Sequence, residues 1–302
     1  MSQQVRVRVP ATTANLGPGF DALGLALRLY NVVEMQRRDE PDDIIVLTGE
    51  GETTLPRDAT NIVVQAADVL FREVGLRRAG LQVQLINNLP LSRGLGSSAA
   101  ARVAGLMAAN ELAGRPLNQA ALLRLATQLE GHPDNAAAAL LGGLVSSCLD
   151  EDGSVHAVKL TVSHPPRFIV LIPDIEVATH AARDALPHSV SLRDAVFNVS
   201  RACLLVSALV TGDRAALRAA LRDRLHQPYR SRLMPWLDAV IAAAIDAGAY
   251  GAVLSGAGSS VLAMADEPTA DIANAMLQTL RAAGHHGSVR TLEIDEEGAV
   301  IE

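Results

Sequence analysis

The chain has 302 residues, of which 49% are hydrophobic, 20% are charged and 3% are aromatic. This balance excludes a disordered chain and predicts a globular protein with one or two substantial hydrophobic cores. The net charge of -7 and the few aromatic rings argue against a nucleic-acid partner, because such proteins need basic grooves and stacking side chains.

The sequence gives no sign of a targeting segment or of a centre built on cysteine. The decapeptide MSQQVRVRVP lacks the apolar region of a secretory signal, and the most apolar stretch, at 135–149, is too short and too interrupted by serine to span a bilayer. We therefore expect a cytoplasmic protein with no membrane partner. Cys148 and Cys203 are far apart and belong to no CxxC pattern, which predicts two reduced, buried thiols.

Strands and helices are predicted in turn along the first half of the chain. The strand patterns lie at 5–9, 31–35, 44–47, 81–86, 142–148 and 155–162. The helical patterns lie at 61–74, 99–112 and 117–129. Thr60 is a candidate N-cap for the first helix, Gly114 marks the end of the second, and Asn118 opens the third. GHPDN at 131–135 then interrupts the pattern, and the last two strands flank the turn DEDGS.

A Pro-Pro pair at 165 and 166 predicts a domain boundary, with one domain at 1–164 and a second at 165–302. Beyond it, helices are predicted at 178–186, 191–210, 213–225, 232–247 and 268–283. Strands are predicted at 167–172, at 252–254 and 260–264 around the turn SGAG, and at 289–294. Because helices and strands come in unequal blocks, an α+β protein of two layers fits better than an alternating parallel sheet.

The segment PLSRGLGSSAAA, at 90–101, places two glycines and two serines just before a predicted helix. Glycine lets the backbone approach an anion closely, and the first amides of a helix are donors at the positive end of its dipole. Gly94, Gly96, Ser97 and Ser98 therefore form a candidate phosphate-binding loop. The alternative from these residues alone is an ordinary serine-capped helix after a glycine turn.

Three other nucleotide-binding patterns fit poorly. Gly94 to Ala99 satisfies G-x-G-x-x-A, and so does Gly17 to Ala22, but neither lies in the strand-helix-strand context of a dinucleotide-binding unit. Lys159 is the only lysine, so the lysine of a Walker A loop is missing. A protein kinase would need a lysine near a glycine-rich flap and an HRD loop, and the loop is absent.

The same segment resembles the phosphate-binding signature of the GHMP small-molecule kinases, the group of galactokinase, homoserine kinase, mevalonate kinase and phosphomevalonate kinase. Four further segments are similar to those of the homoserine kinase branch: VPATTANLGPGFDALGLAL at 9–27, LEGHPDNAAAALLGG at 129–143, HQPYRSRLMP at 226–235 and LSGAGSS at 254–260. The resemblance implies an N-terminal ribosomal S5 domain 2-like unit and a C-terminal ferredoxin-like unit, with the active site between them.

The resemblance also implies an activity. A homoserine kinase uses ATP and Mg²⁺ to phosphorylate the side-chain hydroxyl of L-homoserine to O-phospho-L-homoserine, on the route to threonine, and homodimers are common in the group. By motif match, ATP is bound by Pro90, Leu91, Ser92, Arg93, Gly94, Leu95, Gly96, Ser97, Ser98, Ala99 and Ala100. Ser98 and Glu130 match the magnesium ligands, the alternative for Glu130 being a helix end that faces water.

The resemblance assigns a binding role to each end of the amino acid. Asn15 and Asp21 match positions that face its amino group, and Arg183 and Arg230 match positions that hold its carboxylate. His132, Asp134 and Asn135 match residues around the reacting hydroxyl, assisted by Thr179, and Gly256 belongs to a turn that faces the active site. Asp134, Asn135 and Arg183 are the catalytic candidates.

Asn135 stands where some relatives of the superfamily use an aspartate base paired with lysine. Because an asparagine cannot accept the proton, we expect no strong general base, with Asp134 as the alternative base. Ser259 stands where many relatives have proline, which predicts a looser turn. Two rival functions are a sibling kinase for another alcohol, such as shikimate or a mevalonate-type acid, and a silent metabolite-binding relative.

Overall fold

Two β-sheets with helices packed against them organise residues 4–302, the part of the chain that this computed structural model describes. The strands are β1 (Gln4–Ala14), β2 (Leu23–Arg37), β3 (Ile44–Gly49), β4 (Leu81–Asn87), β5 (Leu144–Leu149), β6 (Val155–Leu160), β7 (Arg167–Pro173), β8 (Gly251–Leu254), β9 (Val261–Ala265), β10 (Gly287–Leu292) and β11 (Val300–Ile301). The helices are α1 (Ile62–Glu73), α2 (Ser97–Leu112), α3 (Gln119–Glu130), α4 (Asp134–Leu141), α5 (Thr179–Asp184), α6 (Leu192–Thr211), α7 (Arg214–Ala220), α8 (Gln227–Arg230), α9 (Leu237–Asp246) and α10 (Ala270–Ala282), with a 3₁₀ turn at Ser231–Leu233.

The first sheet has seven strands in the order β11-β1-β2-β4-β3, and β2 also pairs with β5, which pairs with β6. All pairs are antiparallel except β3 with β4. The helices α1 and α2 pack together closely, because a Cβ on Gly105 would lie only 2.5 Å from the carbonyl oxygen of Val63. Alanine-rich α2 and α4 also pack against the sheet, and their N-terminal ends lie close to it.

The second sheet has the antiparallel order β10-β7-β9-β8 and packs against α9 and α10. This is the strand order of a β-α-β-β-α-β ferredoxin-like unit, as the resemblance implies. One face of this sheet and the two helices form a second core around side chains such as Trp236, Met276 and Leu280, while the other face, with Phe168 and Leu262, joins the core of the first sheet. The predicted α+β class is confirmed.

The chain returns to the first sheet at its C-terminal end. Strand β11 pairs with β1, with Val7 opposite Ile301, and the carboxylate of Glu302 pairs with Arg6 and Arg8. The predicted boundary at 164/165 therefore separates the two sheets except for this final strand. The division into 1–164 and 165–302 stays a prediction.

Several local predictions are corrected. Asn61, not Thr60, caps α1, since its side-chain oxygen accepts the N–H of Val63 at 3.0 Å. Cys148 and Cys203 are exposed rather than buried. Cys148 lies beyond the part of β5 that pairs with β2, and Cys203 lies on the outer face of α6, so neither reaches a core.

Helix α6 has two contrasting faces. Its inner face is packed in the protein, where the buried Asn198 donates to the carbonyl oxygen of Pro18 and to the carboxylate of Asp223. Its outer face is apolar and exposed, and by length and composition alone this helix is long and apolar enough to cross a membrane. Of the most apolar 18-residue stretch of α6, 22% is buried in the protein.

Candidate active site

Nearly all the predicted site residues line one cleft of about 690 Å³. Those that line it are Asn15, Asp21, Pro90, Ser92, Arg93, Gly94, Leu95, Gly96, Ser97, Ser98, Glu130, His132, Asp134, Asn135, Thr179, Arg183, Arg230 and Gly256. Three do not: Leu91 lines a neighbouring cavity, and Ala99 and Ala100 are buried under the loop. The wall of the cleft therefore comes from both sides of residue 164.

The glycine loop turns into α2 at a position that only glycine fits. Gly96 is the N-cap and has φ 67°, and a Cβ on it would lie 1.8 Å from Oγ1 of Thr12. Gly94 has φ 72°, and its Cβ would lie 2.1 Å from the carbonyl oxygen of Ser255. Among the described residues no side chain caps this helix, so the alternative of a serine-capped helix is wrong. The first amides of α2 are available to an anion.

A hydroxyl and a carboxylate meet beside this helix end. Glu130 is the last residue of α3, and its Oε2 accepts a hydrogen bond from Oγ of Ser98 at 3.2 Å. Arg102 also pairs with Glu130, whose side chain is only 11% exposed, so this carboxylate is held rather than facing water. Two such oxygens are hard donors of the kind that Mg²⁺ prefers.

Asp21 and Arg183 form a two-pronged ion pair across the cleft. Nη1 and Nη2 of Arg183 donate to the two carboxylate oxygens of Asp21 at 3.0 and 2.9 Å. Burial would lower the pKa of Arg183, but the hydrogen bonds and charge of Asp21 outweigh it and raise the pKa. The two groups expected to bind opposite ends of one amino acid are thus already paired with each other.

The GHPDN segment builds a hydrogen-bonded group at the start of α4. Nδ1 of His132 lies 2.6 Å from Oδ1 of Asp134, and the same oxygen accepts the backbone N–H of Asn135 at 2.7 Å. Thr12 donates to Oδ1 of Asn135 at 2.7 Å. Burial opposes protonation of His132, yet the hydrogen bond and charge of Asp134 raise its pKa overall. Oδ1 of Asp134 is therefore engaged by these two partners.

Arg230 is a buried cation, only 2% exposed, with no carboxylate within 4.0 Å among residues 4–302. Nη1 donates to the carbonyl oxygen of Gly256 at 3.0 Å, and the side-chain amide of Asn15 donates to the same oxygen at 3.0 Å. Burial, and next the charge of Arg183, lower the pKa of Arg230 to about 10. A buried positive charge without a counter-ion favours an anionic ligand.

The turn at 255–258 is tied down by two serines. Ser255 donates to the carbonyl oxygen of Gly94 at 2.6 Å, which links the turn to the glycine loop. Ser259, in the place where many relatives have proline, is fully buried and its hydroxyl donates to the carbonyl oxygen of Ile175. This hydrogen bond holds the turn against Ile175, whereas the sequence predicted a looser turn.

Sequence reasoning missed a second cavity, of about 800 Å³, next to the loop. Its wall shares Ser92, Ser97 and Ser98 with the first cleft. The other lining residues are mostly apolar: Asn31, Val33, Leu55, Pro56, Asn61, Ile62, Val63, Leu85, Asn87, Leu91 and Ala101. No local pattern marks them, because they come from β2, α1, β4, α2 and two loops that meet only in the fold.

Comparison with known proteins gives consistent relatives. The family model for the GHMP kinases N terminal domain matches residues 61–143, and that for the GHMP kinases C terminal domain matches 205–283. The homoserine kinase of Desulfitobacterium hafniense is 44% identical over 98% of this chain and 99% of its own, and that of Trichormus variabilis is 46% identical over 98% of each.

Solved structures agree with this result. A crystal structure of homoserine kinase from Cytophaga hutchinsonii superposes with a TM-score of 0.90 at 32% identity, covering 100% of this chain and 98% of that one. A mevalonate kinase from L. major superposes with a TM-score of 0.67 at 18% identity, over 98% and 96% of the two chains, which shows the shared fold. The chain belongs to the GHMP kinases and, within them, to the homoserine kinase family.

Proposed function

We propose that this enzyme transfers the terminal phosphoryl group of ATP to the side-chain hydroxyl of L-homoserine, giving O-phospho-L-homoserine and ADP in threonine biosynthesis. One observation carries the proposal: the open N-terminus of α2 lies in the same cleft as the Asp21–Arg183 pair and the buried Arg230. A site for a polyanion thus adjoins a site with both signs of charge, which suits a zwitterionic acceptor.

ATP spans the two cavities. Its phosphates lie on the amides of 94–98, at the positive end of the α2 dipole. Its base enters the second cavity, where Leu55, Val63 and Leu85 offer apolar surface to a flat ring. Because Ser97 and Ser98 belong to both walls, one nucleotide reaches from the apolar cavity to the cleft.

Ser98 and Glu130 would hold Mg²⁺. Their oxygens are 3.2 Å apart, so a small rearrangement lets both face one cation, and Arg102 keeps Glu130 in place. When bound, the ion neutralises charge on the phosphates. The residues of this chain supply the remaining positive potential through the α2 amides and the cleft arginines.

The substrate amino acid breaks the Asp21–Arg183 ion pair and supplies each of the two side chains with a new partner of opposite charge. Its ammonium group takes Asp21, assisted by Asn15, and its carboxylate takes Arg183 and Arg230, whose planar guanidinium groups suit bidentate binding. Each protein charge exchanges one partner for another, so neither is left unpaired. The hydroxyl then lies toward His132, Asp134 and Asn135, with Thr179 beside it.

Phosphoryl transfer proceeds without a strong general base. Asn135 has no proton-accepting carboxylate, and its side-chain oxygen already accepts from Thr12 at 2.7 Å. Oδ1 of Asp134 is held by His132 and by a backbone amide. We therefore infer that the hydroxyl proton leaves late, to a phosphate oxygen, as a loose transition state allows. Asp134 positions His132 and the start of α4.

The test is an ADP-release assay with L-homoserine, D-homoserine, L-serine, shikimate and mevalonate. Turnover with L-homoserine well above the other four supports the proposal. Turnover only with shikimate or mevalonate identifies a sibling kinase, and Asp21 then has no ammonium group to bind. Absence of turnover with all five, at saturating ATP and Mg²⁺, refutes the proposed activity.

We also propose that the enzyme is a cytoplasmic homodimer of two-domain subunits, divided at 164/165, that associate through the outer face of α6. Leu192, Val196 and Val199 are 81, 59 and 64% exposed, and Cys203 continues the stripe at heptad-like spacing. An exposed apolar stripe along a helix about 30 Å long is typical of an interface. A two-fold axis midway along these four residues, between Val196 and Val199, pairs the stripe with itself in antiparallel fashion.

Sedimentation velocity tests the dimer. Val199→Glu places a charge at the centre of the stripe and is expected to give a monomer with an unchanged far-UV spectrum. Val158→Glu is the control, because Val158 is 60% exposed on β6, outside α6. A wild type that sediments as a monomer at micromolar concentration contradicts this part of the proposal.

A further inference from the structure

His226 lies wholly out of solvent beside Arg230, and the reaction scheme above gives it no role. It directly precedes α8, the short helix that carries Arg230. Its ring stacks on Phe20, with ring centroids 5.3 Å apart and planes 22° apart. The guanidinium of Arg230 lies 5.3 Å from the centre of the same Phe20 ring. The imidazole is therefore fixed between the substrate-binding loop at 15–21 and α8.

The hydrogen-bond partners of the ring determine where its proton lies. Nδ1 of His226 is 3.2 Å from Nη1 of Arg230, and since a guanidinium only donates, Nδ1 accepts. Nε2 is 2.7 Å from the carbonyl oxygen of Gly17, and since a carbonyl only accepts, Nε2 donates. These two contacts together require a neutral ring with its hydrogen on Nε2.

Asp223 does not compete for this ring. Its nearest oxygen is 3.7 Å from Nε2 of His226, beyond hydrogen-bond distance. The same oxygen accepts the backbone N–H groups of His226 and Gln227 at 2.9 and 2.6 Å. Asp223 therefore holds the backbone at the start of α8, while Gly17 holds the imidazole.

Arg230 is constrained on two of its three nitrogens. Nη1 is shared between His226 and the carbonyl oxygen of Gly256, and Nε donates to the carbonyl oxygen of Ala182 at 3.2 Å. Within residues 4–302, Nη2 has no hydrogen-bond partner. The bonds made by the other two nitrogens thus fix the plane of the guanidinium and leave the donors of Nη2 for a ligand.

We propose that His226 is a positioning residue that orients Arg230 toward the substrate carboxylate by accepting from it through Nδ1. Its second bond, to Gly17, connects α8 to the loop that carries Asn15 and Asp21. One neutral ring thus sets the distance between the group that binds the carboxylate and the groups that bind the ammonium. This inference rests on the proposed function, since it specifies how that acceptor site is held.

Two substitutions separate the two hydrogen bonds. In His226→Asn the side-chain oxygen lies near the Nδ1 position, so the acceptor for Arg230 is kept and the donor to Gly17 is lost. In His226→Gln the side-chain nitrogen lies near the Nε2 position, so the donor is kept and the acceptor for Arg230 is lost. The hydrogen bond to the charged Arg230 contributes more than the one to the neutral carbonyl of Gly17. Its loss in His226→Gln should therefore reduce the affinity for L-homoserine more, by about tenfold or more.

Steady-state kinetics with ATP and L-homoserine read out both variants. His226→Gln is expected to raise the KM for L-homoserine about tenfold or more, and His226→Asn by less than about threefold. The kcat and the KM for ATP stay within about threefold of wild type in both, because the hydrogen bonds that Arg230 makes within residues 4–302 go to Ala182, His226 and Gly256 and none reaches the 90–100 segment. His156→Gln, an exposed histidine on β6, serves as the control and leaves all three constants unchanged.

The outcomes are distinguishable. A wild type that does not use L-homoserine refutes the proposed function and not the role of this ring. Equal increases in the KM for L-homoserine in the two variants, or a parallel increase in the KM for ATP, overturn the positioning role. If both variants fail to fold, the imidazole ¹⁵N spectrum of the wild-type enzyme at pH 7 decides: a protonated Nδ1 in His226 overturns it, and a hydrogen on Nε2 alone supports it.

Discussion

Gly96→Ala is expected to damage both stability and ATP binding, because two separate penalties meet at this position. The residue has φ 67°, and the left-handed conformation costs a residue with a Cβ about 1–2 kcal/mol. The added Cβ would lie 1.8 Å from Oγ1 of Thr12, so Thr12 must move and its 2.7 Å bond to Asn135 is lost, at about 2–3 kcal/mol for overpacking and the lost bond.

Gly114→Ala is the matched control at the other end of α2. Gly114 has φ 86°, but no atom lies within 4 Å of a Cβ built there, so only the conformational penalty of about 1–2 kcal/mol remains. Thermal unfolding should therefore show Gly96→Ala melting about 4–12 °C below Gly114→Ala. The KM for ATP should rise about tenfold or more in Gly96→Ala alone, since only that change displaces the first α2 amides.

Thr12→Ala supplies a rescue. It removes the nearest clashing atom, so Gly96→Ala combined with Thr12→Ala should recover part of the lost melting temperature relative to Gly96→Ala. If Gly96→Ala and Gly114→Ala are equal in melting temperature and in the KM for ATP, the close approach between the loop and β1 has no energetic weight. The argument for an anion cradle that only glycine can build is then refuted.

Three further predictions test other parts of the site. Asp21→Asn should raise the KM for L-homoserine about tenfold to a hundredfold, with the KM for ATP unchanged. Asp152→Asn, on an exposed turn, is the control for this variant. Equal kinetics in the two variants would exclude an ammonium-binding role for Asp21. Glu130→Gln should raise the Mg²⁺ concentration for half-maximal rate about tenfold, and an unchanged Mg²⁺ titration would remove Glu130 from the metal site. Burial, the largest cause, lowers the pKa of His226 below its ordinary value of 6.5, although Asp223 opposes it. The stabilisation that the neutral imidazole contributes is therefore complete above pH 6.5 and is lost as the pH falls toward the folded-state pKa. Between pH 6.5 and 5, the free energy of unfolding of wild type should fall relative to that of His226→Gln, by up to about 1.4 kcal/mol per pH unit. A constant difference across this range would contradict a neutral buried ring.

Most residues of the candidate cleft were predictable because they lie in contiguous motifs; Thr179 and Arg183 lie outside the quoted segments. The glycines and serines of the 90–101 segment suggest a phosphate from local chemistry, whereas the roles of the GHPDN residues came from the family resemblance. The second cavity had no such signal. Val63 and Leu85 read as ordinary core residues of a helix and a strand, and Leu55 follows no pattern, so only the fold brings the three together as the wall of a cavity.

Buried elements account for the main errors in secondary structure. Strand β1 runs to Ala14, well past the predicted 5–9, because residues 9–14 are buried on both faces and show no alternation. Its register with β2 also shifts between Pro10 and Ala11. Helix α4 has four consecutive buried alanines and therefore no amphipathic period to detect. Tertiary burial removed the two periodic signals on which the prediction relied.

The only lysine of the chain lies outside the cleft, so the cleft must neutralise a triphosphate without a lysine side chain. Lys159 donates to the carbonyl oxygens of Leu141 and Glu296 and lies 3.5 Å from the carboxylate of Glu296, so it joins the end of α4 to the C-terminal segment and does not line the cleft. Positive potential at the reacting phosphate must then come from main-chain amides and arginine. Amides fixed at a helix end need no reorganisation during the reaction, and they act only at the distance that a residue without a Cβ allows. The close contacts of Gly94 with Ser255 and of Gly96 with Thr12 therefore fix the amides on which a phosphate site without a lysine depends.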